Sequence, residues 1–134
     1  MTIVEKEARG LNTAVTRAAH YAQQQHATSL LILPADLPFM HTADIERMIE
    51  VMEHNPGRLL AICTDGKQDG SNALLLSPPT RFNFHYGQGS FHQHLREATR
   101  LGYTTHIVST PGLQFDLDTE ADWQVYRETM GVRC

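Results

Sequence analysis

Amphipathic helical segments alternate with short uncharged apolar runs along this chain, and that alternation restricts the fold more than any other feature. Leu11, Ala14, Val15, Ala18 and Ala22 fall at the three- and four-residue spacing of one helix face. The run Ser29-Leu30-Leu31-Ile32-Leu33 stops at Pro34 and reads as a buried strand. Thr42 reads as an N-cap with Asp44 in the first turn, followed by the face Ile45, Met48, Ile49 and Met52. Asn55-Pro56-Gly57 ends that helix. Strands are expected from Leu59 to Cys63 and from Ala73 to Leu76, around the turn-rich loop from Asp65 to Gly70. Phe91, Leu95, Ala98 and Leu101 mark a third helix, ended by Gly102. Last come strands at His106-Ile107-Val108 and from Leu113 to Leu117, then a helix from Thr119 with Asp122 near a capping-box position.

This order predicts an α/β three-layer sandwich in which helices cover a mostly parallel sheet. At 134 residues the chain has the length of one domain, spanning 1–134. Such sheets bind ligands at the carboxyl ends of their strands. The pattern opens on a helix without a strand before it. The expectation is therefore a domain lacking its first β-α unit, with an exposed sheet edge that favours pairing into a homodimer.

Charge narrows the partners. The net charge is −4, from 11 basic and 15 acidic residues, and no basic patch interleaves with aromatics, so a nucleic-acid partner is not expected. Cys63 and Cys134 are too far apart in sequence to suggest a disulfide framework or a metal knuckle. The opening MTIVEKEARG has no apolar leader, and the apolar run from Leu30 to Leu33 is too short to cross a bilayer. A cytoplasmic protein without membrane contact is expected.

Three sets of residues could carry chemistry. Asp36 follows a strand directly and stands in Leu33-Pro34-Ala35-Asp36-Leu37-Pro38, where prolines stiffen the turn. A carboxylate there suits Mg²⁺, and equally suits an Asx-turn. Asp116 and Asp118 lie two apart in Phe115-Asp116-Leu117-Asp118-Thr119, on one face if the segment is extended. Their mutual repulsion is relieved by a cation. Gly70-Ser71-Asn72 and Gly87-Gln88-Gly89-Ser90 are small polar segments at element ends, where a phosphate could approach the backbone or where glycines simply turn the chain. Of the eight histidines, His92 and His94 point to different helix faces and read as solvated, and His85 beside Tyr86-Gly87 is kept in reserve. No Walker loop, complete G-x-G-x-x-G or nucleophile elbow is present.

Taken in order, Leu33-Pro34-Ala35-Asp36-Leu37-Pro38, Gly70-Ser71-Asn72-Ala73-Leu74-Leu75-Leu76, Tyr86-Gly87-Gln88-Gly89-Ser90-Phe91 and Phe115-Asp116-Leu117-Asp118-Thr119 resemble the 2-phospho-L-lactate guanylyltransferase family of MobA-like nucleotidyltransferases. Gly10-Leu11-Asn12 matches as well, so the resemblance runs from about Gly10 to Trp123. It implies transfer of GMP from GTP to a small phosphorylated acid, with pyrophosphate leaving, on the way to coenzyme F-420. The acid would be 2-phospholactate, phosphoenolpyruvate or 3-phosphoglycerate. Asp36, Asp116 and Asp118 would hold Mg²⁺, with Asp36 and Asp116 catalytic. Ser71, Asn72, Gly87 and Ser90 would cradle the phospho-acid, and Asn12 would lie near the nucleotide. Phosphoryl transfer needs positioning and charge neutralisation, which agrees with the absence of a nucleophilic triad.

Family members open with a strand and a Gly-rich loop followed by basic residues that bind the base and triphosphate. Met1-Thr2-Ile3-Val4 is preceded by neither, so a truncated nucleotide half with weak GTP binding is expected. A catalytically inactive homologue that binds a phospho-acid or a partner, or another MobA-like nucleotidyltransferase, remains the alternative.

Overall fold

The computed structural model describes residues 8–35, 37–65 and 67–115, together with positions 124 and 128. In chain order its elements are α1 (Ala8–Gln24), β1 (Leu30–Ile32), α2 (Thr42–Glu53), β2 (Leu59–Thr64), β3 (Ser71–Ser77), α3 (Ser90–Arg100), β4 (Thr104–Ile107) and α4 (Pro111–Gln114). The four strands form one sheet in the order β1-β3-β2-β4.

The loop between β2 and β3 decides the character of this sheet. It is too short for the crossover that parallel neighbours need, so the two strands pair antiparallel, with Leu60 opposite Leu76 and Ile62 opposite Leu74. β3 also pairs antiparallel with β1, whereas β2 and β4 are parallel. The sheet is therefore mixed. β1, β2 and β4 run one way and β3 runs against them, where a mostly parallel sheet was expected. Asp65 holds the turn. Its carboxylate accepts backbone N–H bonds from Lys67 (3.1 Å), Asp69 (2.9 Å) and Gly70 (3.0 Å).

Strand alternation supplies two cores. Leu60, Ile62, Leu74 and Leu76 pack with Val15 and Ala19 of α1 and with Phe91 and Ala98 of α3. Leu59, Ala61, Cys63, Ala73 and Leu75 pack with Met48 and Val51 of α2 and with Leu113 of α4. β2 is buried along its whole length, as its central place in the sheet requires. Each fully buried leucine here contributes roughly 1.5–3 kcal/mol from apolar burial. Cys63 is sealed in this core, and desolvation raises its thiol pKa, with the Asp44 charge adding to the rise.

Several local expectations shift. α2 is capped one residue earlier than expected, at His41, whose N–H donates to Asp44 Oδ2 at 2.8 Å. Asp44 thus occupies the position where a carboxylate can close the first turn. Ile49 is partly exposed, and Val51 takes the inward place beside Met48. β1 is half-buried rather than fully buried, since its other edge has no ladder partner among the described residues. The expected strand from Leu113 to Leu117 begins instead as the helical turn α4. Thr110 caps it by accepting from the Leu113 N–H at 3.2 Å, and Pro111 fits the first helical position. β4 lies earlier than expected, although Val108 N–H still reaches Ile62 O at 2.8 Å. Of the expected helix from Thr119 only positions 124 and 128 are described, and both are helical. No helix among the described residues is long and apolar enough to cross a membrane.

Candidate functional site

The β2–β3 ladder pairs Thr64 with Ser71 and Cys63 with Ala73, so Asn72 is the extra residue of a bulge. Regular pleating would put Ser71 on the side of Ala73, facing α4, and Asn72 on the side of Leu74, facing α3. The bulge reverses both. Ser71 Oγ lies 3.1 Å from Ser90 Oγ, at the start of α3. The Asn72 amide instead donates to Leu113 O at 2.9 Å and to Gln114 O at 3.1 Å, within α4.

The Ser90 side of this pair is set by two glycines with left-handed backbone, Gly87 at φ 121° and Gly89 at φ 72°, where side chains would be strained. Their turn lets Ser90 N–H reach Gly87 O at 3.2 Å. Asp69 clamps the same turn onto the β2–β3 loop. Its carbonyl accepts from Phe91 N–H at 2.9 Å and its carboxylate from Gly89 N–H at 3.2 Å. Two segments that the sequence presents separately therefore meet at a pair of hydroxyls.

His94 lies one helical turn after Ser90. It is fully buried, which corrects the expectation of a solvated residue. Its Nε2 accepts the His85 backbone N–H at 2.8 Å. A backbone N–H can only donate, so the neutral ring carries its proton on Nδ1, and Nδ1–H donates to Ser71 Oγ at 2.8 Å. The rings of Phe82, Phe84 and Tyr86 surround it. Burial first, and neighbouring His85 second, push its pKa down from 6.5 to about 3. His94 stands at the i+3 position of the face Phe91, Leu95 and Ala98, and that spacing was the signal that it points inward.

Asn12 holds the loop that supplies the His85 N–H. Its Nδ2 donates to Tyr86 O at 3.2 Å, and its Oδ1 accepts Tyr86 N–H at 2.6 Å. This two-point clasp uses both ends of the amide to tie α1 to the segment before Gly87. Asn12→Leu is expected to cost about 2 kcal/mol, because it leaves two backbone groups of Tyr86 without their partner. Urea denaturation reads the loss, and faster amide exchange at Tyr86 and Gly87 locates it.

Asp36, Asp116 and Asp118 lie outside the described residues. Their flanks do not. Phe39, three residues after Asp36, packs its ring on Phe115, directly before Asp116, with centroids 5.0 Å apart. Among the described residues no group of three or more His, Cys, Asp or Glu could hold a metal ion. Sequence reasoning also missed an open groove of about 220 Å³ lined by His85, Gln93, Arg96, Glu97 and Arg100. Glu97 Oε2 there lies 3.8 Å from His85 Nε2, and Glu97 also pairs with Arg100.

Residues 1–126 match the family described as guanylyl transferase CofC-like. The chain belongs to this family. A phosphoenolpyruvate guanylyltransferase of Rubrobacter xylanophilus is 37% identical over 130 residues, covering 97% of this chain and 62% of that protein. One of Chloroflexus aurantiacus is 35% identical over 116 residues, covering 87% of this chain and 55% of the relative. A 3-phospho-D-glycerate guanylyltransferase of Colwellia psychrerythraea is 32% identical over 116 residues, covering 87% of this chain and 54% of the relative. The chain thus spans between 54% and 62% of the length of these three relatives.

Proposed function

We propose that this CofC-like chain forms the acceptor and metal side of a guanylyltransferase that joins GMP from GTP to a small phosphorylated acid. The observation that carries the reading is the meeting of Ser71 and Ser90, 3.1 Å apart at the head of α3 beside two left-handed glycines. Small residues and hydroxyl donors at a helix N-terminus suit a phosphate. The relatives' names supply the candidates phosphoenolpyruvate and 3-phosphoglycerate, and the resemblance adds 2-phospholactate and the route to coenzyme F-420.

In this reading a phosphate oxygen of the acid attacks the α-phosphorus of GTP. A new P–O bond forms, the α–β bridging P–O bond breaks, and pyrophosphate leaves with its electron pair. Ser71 and the Gly87 turn would hold the attacking phosphate in line, with the buried Ser90 hydroxyl bonded behind Ser71, while Asn12 keeps that turn in place. Asp36, Asp116 and Asp118 would hold Mg²⁺, and the Phe39–Phe115 contact supports a common site by joining the flanks of both carboxylate segments. Bound Mg²⁺ would neutralise the charge that develops on the triphosphate. Asn72 acts from behind, since its amide bonds fix the turn leading to Phe115 and Asp116.

The test supplies GTP and Mg²⁺ with phosphoenolpyruvate, 3-phosphoglycerate or 2-phospholactate, following pyrophosphate release and the mass of the guanosine diphosphate-linked product. At a GTP concentration high enough to offset the weak GTP binding expected of this chain, one acid is expected to turn over, and Asp116→Ala is expected to abolish both turnover and Mg²⁺-dependent binding of that acid. Activity undiminished in Asp116→Ala would rule out the metal assignment. Binding of an acid without any turnover would favour a non-catalytic phospho-acid-binding domain.

A further inference from the structure

We propose that His94 is a positioning residue that aims the Ser71 hydroxyl at the phosphate of the acceptor acid, an inference that rests on the acceptor reading above. A serine hydroxyl can rotate and either donate or accept. Beside an anion only donation helps. His94 removes the choice. Its Nδ1–H, 2.8 Å from Ser71 Oγ, occupies a lone pair of that oxygen. The Ser71 proton must then point elsewhere, toward Ser90 Oγ at 3.1 Å or toward a bound acceptor.

The tautomer that allows this is itself built in. The His85 backbone N–H, 2.8 Å from Nε2, excludes a proton there. Asn12 in turn anchors the next residue, Tyr86, through both amide atoms. The chain of orientation therefore runs from α1 through the residue 85–86 backbone and the buried ring to one hydroxyl. Ser90 and His94 are essentially inaccessible, at 1% and 0% exposure. Their polar atoms thus meet protein partners before any ligand arrives, as a preorganised site requires.

Two conservative variants separate this role from packing. The amide of asparagine reaches the place of Nδ1, so His94→Asn keeps a donor to Ser71. The longer glutamine reaches the place of Nε2, so His94→Gln keeps an acceptor for His85 N–H and frees Ser71. Calorimetry with phosphoenolpyruvate, 3-phosphoglycerate and 2-phospholactate, each with Mg²⁺, gives the affinities, and thermal melts report the fold. His94→Gln is expected to weaken binding of the preferred acid about fivefold to tenfold, the worth of one neutral hydrogen bond, and His94→Asn by less than about twofold. Ser71→Ala is expected to weaken binding similarly, with His94→Gln adding nothing in that background. A folded His94→Gln protein with wild-type affinity, or additive losses in the double variant, would overturn the proposal while leaving the acceptor reading intact. If wild-type protein binds none of phosphoenolpyruvate, 3-phosphoglycerate and 2-phospholactate, the acceptor reading falls and takes this proposal with it. Should the variants fail to fold, the wild-type His94 Nδ1–H resonance serves instead. It is expected to shift when phosphoenolpyruvate or 3-phosphoglycerate is added, and a resonance unmoved at saturation overturns the proposal.

Discussion

Lowering the pH from about 7 to about 4 is expected to destabilise the domain, and His94→Gln is expected to remove most of that dependence. The folded protein holds His94 neutral down to about pH 3, whereas the unfolded chain protonates it near 6.5. Between those values the unfolded state binds more protons, so stability rises with pH across the window and is flat above it. At the low end the loss approaches about 4 kcal/mol, a large share of the stability of an ordinary domain. The structural cause is specific. A proton on Nε2 would confront the His85 N–H that this atom now accepts, and the rings of Phe82, Phe84 and Tyr86 packed around the imidazole solvate a charge poorly. The neighbouring His85 adds to the opposition against a charge on His94, and Glu97 Oε2 lies 3.8 Å from His85 Nε2. Urea midpoints taken across this range in both proteins check the claim. Parallel pH slopes would mean that His94 does not govern acid unfolding.

Gly112→Ala is expected to be more damaging than the same change at Gly57, Gly70, Gly89 or Gly102. A Cβ at this buried position would come within 2.6 Å of Phe39 O and into collision with the Asp44 carboxylate. Neither neighbour can give way cheaply. The first is backbone, and the second accepts the His41 N–H at 2.8 Å at the start of α2. α4 must therefore move away from residues 39–44. Overpacking of this kind costs about 1–3 kcal/mol. For a chain of this size that lowers the melting temperature by roughly 3–4 °C per kcal/mol. The shift also strains the Asn72 bonds to Leu113 O and Gln114 O and the Phe39–Phe115 contact, so the proposed Mg²⁺-dependent binding of a phospho-acid is expected to weaken along with the fold. Thermal melts and calorimetry on the same variant read both effects. An unchanged melting temperature would show that α4 is not seated as described.

Helices and strands with strong internal patterns are legible in the sequence alone. The faces Leu11–Ala14–Val15, Met48–Met52 and Phe91–Ala98 belong to α1, α2 and α3, and the apolar runs after Arg58 and Asn72 belong to β2 and β3. Misreadings arose where two local signals competed. Leu113 looked like the start of a strand, but Thr110 and Pro111 carry a helix cap and first position. The residue type of His94 suggests a solvated surface, whereas its spacing places it with Phe91 and Ala98 on the inward face. A neutral imidazole is apolar enough to bury once both nitrogens have partners, and those partners lie 23 residues away at Ser71 and nine away at His85.

The meeting of Ser71 with Ser90 shows where sequence stops and tertiary structure begins. The residue types, the glycines that allow the turn at 87–89 and the family membership all follow from the order of amino acids. Which hydroxyls share a site does not. Alternation along β3 taken by itself assigns Ser71 to the side of α4 and Asn72 to the side of α3. The bulge at Asn72, opposite Cys63 and Thr64, exchanges them. It exists only because β2 is present to pair with β3, and its outcome is held by hydrogen bonds to α3 and α4, which are remote in sequence. Local sequence determined the helices, most of the strands and the small polar segments, since those depend on near neighbours. Strand pairing and long-range hydrogen bonding decided which of those segments became one site.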